Sequence, residues 1–99
     1  MDVRVIDTRL SPIRGKPIRA FVDVQLCGLV LKDFRVMQND GGKPYVKAPF
    51  TTYKDKTGRL KYRQIIDLPA EVRGQVDVAI LNAYYLREKE RQDDKSNSK

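Results

Sequence analysis

With 99 residues, 40% of them hydrophobic and 33% charged, the chain has room for one domain with a thin core and none for a second. A lone Cys27 and the lack of histidine exclude an internal disulfide, a zinc cluster and histidine-based acid/base catalysis, so no enzyme activity, cofactor, metal or small-molecule substrate is expected. The formal net charge of +7 points instead to an anionic partner.

Met1 is followed at once by the strand-like Val3-Arg4-Val5-Ile6, with no secretory leader pattern, and no apolar run approaches about 20 residues. A soluble, cytoplasmic protein with no membrane association is expected. Val3–Leu10 alternates weakly. Ile18, Ala20, Val22, Val24 and Leu26 then occupy every second position, as a half-buried strand requires, with Phe21 as the exception on the outer face. A third strand over 29–38 follows the tight Cys27-Gly28 connection, where glycine supplies the positive φ of a short hairpin. Asn39-Asp40-Gly41-Gly42 is the next turn. A fourth strand over 44–48 is short and bounded by prolines, which places it at an edge or near a break in pairing, and a fifth over 59–66 follows Lys56-Thr57-Gly58.

Beyond Ile66 the period changes from two to about 3.6. Leu68, Val72, Val76, Ala79, Ile80, Ala83 and Tyr84 form a stripe that predicts a helix lying on the sheet. Its start falls between 68 and 74, with Asp67 as candidate cap, Pro69 in the first turn and Gly74 as the alternative beginning. Residues 92–99 contain nothing apolar and are expected to be a disordered polar tail on a single domain over 1–91. The expected class is α+β, an antiparallel sheet of about five strands followed by a C-terminal α-helix. A core this thin favours pairing as a homodimer.

The charge is unevenly placed. Residues 1–42 carry +2 and residues 64–99 carry −1, whereas residues 43–63 carry +6, with five lysines and two arginines against Asp55. Such a localised positive field is the footprint of a phosphate-backbone binder. In a strand Arg59, Lys61 and Arg63 share one side at about 6.6 Å spacing, with Leu60 and Tyr62 on the other. One face is expected to grip and the other to pack. Tyr45 and Tyr53 lie among these cations, where packing at a sheet edge is the expected role and base stacking the alternative. Natural sheets also load exposed edges with lysine against aggregation, yet seven cations with one acid favour nucleic acid. Asp7, Asp23 and Asp33 could meet across strands as a metal or acid/base site, but each alternates with apolar neighbours as solvent-facing residues do. Gly41-Gly42-Lys43-Pro44 lacks the spacing, hydroxyl residue and helix of a phosphate loop and reads as a turn.

Several strings, in order, resemble the stage V sporulation protein G (SpoVG) family of bacteria. They are Ile6-Asp7-Thr8-Arg9-Leu10, Ile18-Arg19-Ala20, and Leu31-Lys32-Asp33-Phe34-Arg35-Val36 with the Asn-Asp-Gly-Gly turn after it. The match continues through Tyr45-Val46-Lys47-Ala48-Pro49, Tyr62-Arg63, Arg73-Gly74 and Ala79-Ile80-Leu81-Asn82-Ala83-Tyr84, covering roughly residues 3–86. The resemblance implies a small α+β homodimer that binds nucleic acid as a regulator linked to septation and sporulation control. It also implies that Arg73, at the opening of the last helix, contacts a groove or a phosphate. Together with the charge pattern this gives Lys47, Lys54, Lys56, Arg59, Lys61, Arg63 and Arg73 as candidate nucleic-acid contacts, with DNA the expected target and RNA a second. The alternative function is a non-enzymatic interaction module of the division machinery whose basic hairpin binds an acidic partner.

Overall fold

A computed structural model describes residues 2–12 and 16–97. The chain runs β1 (Val3–Leu10), β2 (Ile18–Leu26), β3 (Leu29–Met37), β4 (Tyr45–Lys47), β5 (Phe50–Lys54), β6 (Leu60–Gln64) and α1 (Ala70–Asn97). The class is α+β, with every strand pairing antiparallel. In place of one sheet of about five strands, the described residues form a sheet in the order β1-β2-β3-β4 and a separate two-stranded ribbon of β5 and β6. Pro44 and Pro49 account for the split. A proline has no N–H to give a ladder, so β4 is held to three residues and the chain leaves the sheet after it.

The interior alternation of β2 builds the core. Ala20, Val22, Val24 and Leu26 cluster with Phe34 and Val36 of β3, Val46 of β4 and Ala48 just after it, and α1 lays Val76, Ile80 and Tyr84 over them. These three helix residues recur every fourth position, so they line one face, and half-buried Leu68, Val72 and Leu81 widen it. The helix begins at Ala70, where the Arg73 amide donates to the Pro69 carbonyl at 2.8 Å. Pro69 is therefore the capping position, Asp67 lies before it, and Gly74 is an interior residue that does not mark the start. The helix continues to Asn97, six residues beyond the boundary drawn at Arg91, and residues 98 and 99 lie outside the described residues.

The weak alternation of β1 has a local cause. Ile6 is an extra residue between the pairs Val5↔Val24 and Asp7↔Asp23, and this bulge throws its side chain outward while Val3, Val5 and Leu10 pack on the core. Opposite Asp23 a second bulge holds Asp33 at φ 66°, a left-handed conformation that aspartate tolerates better than most residues. At the β2–β3 turn Cys27 (φ 50°) as well as Gly28 (φ 78°) is left-handed, which a two-residue hairpin turn of the primed type needs at both centres. The exposed Cys27 is thus a turn residue.

The three aspartates read as separate solvent-facing residues instead converge on the sheet face opposite the helix. Arg9 Nη1 donates to Asp7 Oδ2 at 2.6 Å and to Asp23 Oδ2 at 2.9 Å, while its Nη2 donates to Asp23 Oδ1 and Asp33 Oδ1, both at 3.0 Å. The Asp33 amide, deprived of a ladder partner by the bulge, donates to Asp23 Oδ1 at 3.0 Å. A guanidinium therefore fills the place a metal would take, and no metal-holding group of three acidic, thiol or imidazole ligands occurs among the described residues. The Arg9 hydrogen bonds, assisted by the Asp33 amide and opposed by burial, hold the Asp23 carboxyl below the usual carboxylate range. A lowered folded-state pKa contributes stability that is complete above the unfolded value of about 3.9 and is lost as pH falls through the folded value. Asp23→Asn is thus expected to be less stable than the parent at neutral pH and to lose less on acidification. Urea unfolding from neutral pH down to about 2 checks this; identical pH dependence in the two proteins would show that Asp23 does not carry the effect.

Candidate nucleic-acid interface

Residues 50–64 form an arm. Phe50, Thr51, Thr52, Tyr53 and Lys54 pair with Gln64, Arg63, Tyr62, Lys61 and Leu60 respectively, and neither strand pairs with the main sheet. The Ile65 amide donating to the Pro49 carbonyl at 3.0 Å closes the arm at its base. A Cα radius of gyration of 15.3 Å, against about 13 Å for a compact chain of this length, and a longest extent of 54 Å match a body from which elements project.

The tip is braced by the only carboxylate in the basic segment. Asp55 Oδ1 accepts from the Thr57 hydroxyl at 2.7 Å, the Thr57 amide at 2.9 Å and the Arg59 amide at 3.0 Å. The Gly58 amide donates to the Asp55 carbonyl, and Gly58 takes φ 82°, which suits glycine. These bonds, the Thr57 hydroxyl first, lower the Asp55 pKa and keep the group ionised as a turn brace. Asp55 makes no ion pair with a lysine or arginine among the described residues, and one carboxylate leaves the basic segment with a net positive charge of +6. No ion pair among the described residues engages Lys47, Lys54, Lys56, Arg59, Lys61 or Arg63.

The ladder register sorts the side chains. Directly opposed residues share a face, so Thr51, Tyr53, Lys61 and Arg63 lie together, with Arg59 next in step, and the Arg63 guanidinium stands 5.4 Å from the Tyr53 ring centre. The other face carries Phe50, Thr52, Lys54, Leu60, Tyr62 and Gln64. Arg59, Lys61 and Arg63 thus share a side, as their spacing predicts. Leu60 and Tyr62 do not pack into a core as expected: they are 56% and 62% exposed. The arm has no layer beneath it, so its second face meets only the root contacts of Phe50 and Tyr62, whose rings pack edge to face at 5.5 Å.

Those root contacts fix how the arm leaves the body. Arg35 and Lys47 are cross-strand partners on the helix-free side of the sheet, and both reach the Phe50 ring, at 4.1 and 4.8 Å. Lys47 also lies 5.6 Å from the Tyr62 ring, and Arg35 lies 5.6 Å from Phe21. The outward Phe21 thereby gains a role as a shelf for Arg35. Arg35 was not among the residues expected at the site; the clue was its place between the apolar Phe34 and Val36, which turns it to the face that Phe21 occupies.

Of the seven candidate contacts, Lys54, Lys56, Arg59, Lys61 and Arg63 lie on the arm and Lys47 at its root, while Arg73 stands apart. Its Nε donates to Asp77 Oδ1 at 2.7 Å and its Nη2 to the Val46 carbonyl at 2.8 Å. Arg73 ties the start of α1 to β4 from the helix side, and Asp77 balances its charge. No family model matches the chain, and no curated protein matches it. No helix among the described residues is long and apolar enough to cross a membrane.

Proposed function

We propose that the protein is a non-enzymatic, cytoplasmic nucleic-acid-binding regulator that works as a homodimer and grips DNA phosphates with the 50–64 arm. The observation that carries this reading is the arm's set of unpaired cations beside a sole carboxylate spent on the turn. Lys47 at the root extends the positive surface toward the body. RNA is a second target of the same chemistry, and the SpoVG resemblance supports a regulatory role linked to septation and sporulation. A gel-shift titration with duplex DNA, single-stranded DNA and RNA tests it: binding that weakens steeply with salt is the expected result, and no shift of any of the three at low salt would remove the reading. The exposed Leu60 and Tyr62 favour a second reading, in which the arm meets an acidic protein partner. Absence of binding to all three nucleic acids at low salt would leave that one standing.

The homodimer rests on a separate surface. The outer edge of β1 pairs with no described strand, and Ile6, Ala83 and Leu86 line a groove between that edge and α1. Val78, Tyr85 and Leu86 are more than half exposed on the helix, and a second copy meeting this face would cover them and the open edge together. Sedimentation at about 10–50 µM is expected to give twice the 11.4 kDa chain mass. A species of chain mass throughout that range would contradict the dimer.

A further inference from the structure

We infer that the arm reads duplex DNA by entering the major groove as a two-stranded ribbon, with the Thr51–Tyr53–Arg59–Lys61–Arg63 face toward the bases and phosphates of that groove. This rests on the nucleic-acid reading above and goes beyond it by choosing the form of nucleic acid and the groove.

The shape comes first. Two five-residue strands and their turn make a ribbon roughly 20 Å long with strands about 4.8 Å apart. A major groove about 12 Å wide admits a two-stranded ribbon in undistorted duplex, whereas a minor groove about 6 Å wide admits one only after the duplex is bent and the groove widened, at the cost of unstacking base steps. Residues 50–64 are free to enter because, among the described residues, their strands pair only with each other and their contact with the body is confined to the root, at Phe50, Tyr62 and the Pro49 carbonyl. The division of the faces gives the orientation. The Phe50–Tyr62 face is held against Arg35 and Lys47 at the root, so the cationic, hydroxyl-bearing face turns away from it.

The same register disfavours a single strand. Sequence-tolerant single-strand binding stacks successive bases on successive aromatic rings along one groove. Here Tyr53 and Tyr62 are on opposite faces, and Tyr62 is already packed against Phe50. An RNA duplex is disfavoured for another reason, since its A-form major groove is deep and too narrow for side chains to read.

The test uses the full-length protein and one sequence in four forms, followed by fluorescence anisotropy at fixed salt: unmodified duplex DNA, duplex DNA whose major groove is filled by glucosylated 5-hydroxymethylcytosine, unmodified duplex DNA saturated with the minor-groove ligand netropsin, and duplex RNA. Glucosylation and the RNA form are each expected to weaken binding by about tenfold or more, and netropsin by no more than about twofold. Equal affinity for glucosylated and plain DNA, or displacement by netropsin, would overturn the major-groove assignment while leaving nucleic-acid binding in place. Failure to bind even unmodified duplex DNA at low salt would overturn both.

Discussion

Phe34→Ala is expected to lower the unfolding free energy by about 3–5 kcal/mol, a large part of the about 5–15 kcal/mol that a domain of this kind has in total. Phe34 is fully buried, pairs across the sheet with Val22, and belongs to the cluster that α1 closes with Val76, Ile80 and Tyr84. The sheet has one helix to cover it, so no second layer can collapse into the cavity. Leu60→Ala is the matching control, because Leu60 is 56% exposed on the arm and its loss should shift stability by only about 0.5 kcal/mol. Guanidinium unfolding reads both. Similar midpoints for the two variants would mean that the core does not lie between the sheet and α1.

The strands that pack on this core were legible because burial on one face writes a period of two. The bounds of β1 and β2 agree with the pattern, β3 ends one residue early at Met37, and the helix stripe at Val76, Ile80 and Tyr84 is the buried one. β5 was not legible. Thr51, Thr52, Tyr53 and Lys54 are exposed on both faces of the arm, so nothing selects an alternation and the pattern predicts no strand there. The separation of the ribbon from the sheet was hidden for the same reason. The convergence of Asp7, Asp23 and Asp33 on Arg9 depends on two bulges that shift the register by a residue each, and pairing arithmetic from a regular ladder does not place them together. The basic segment read over residues 43–63 overlaps the arm, with Lys43 and Lys47 before it. What the charge excess could not give was the use of each charge: Arg73 is spent on Asp77 and Val46, and Asp55 on the turn.

Replacing Lys56, Arg59 and Lys61 together with glutamine is expected to abolish most DNA affinity without unfolding the protein. All three are exposed, none has an ion-pair partner among the described residues, and the turn uses the Arg59 backbone and not its side chain. Stability should therefore change by only about 0.5 kcal/mol per site. If each side chain meets one phosphate in each protomer, the dimer loses about six contacts, and the slope of log K against log salt should flatten by about five. A smaller flattening would assign a share of the load to Lys47, Lys54 and Arg63.

The most direct test of phosphate gripping by the arm is that slope, measured on duplex DNA for the parent and the Lys56→Gln, Arg59→Gln, Lys61→Gln protein in parallel, with circular dichroism confirming that both are folded. A steep parent slope that flattens by about five in the variant, with affinity falling in step, is the expected result. The same affinity and slope in a folded triple variant would contradict it, and the basic arm would then be a lysine-protected ribbon open to a protein partner.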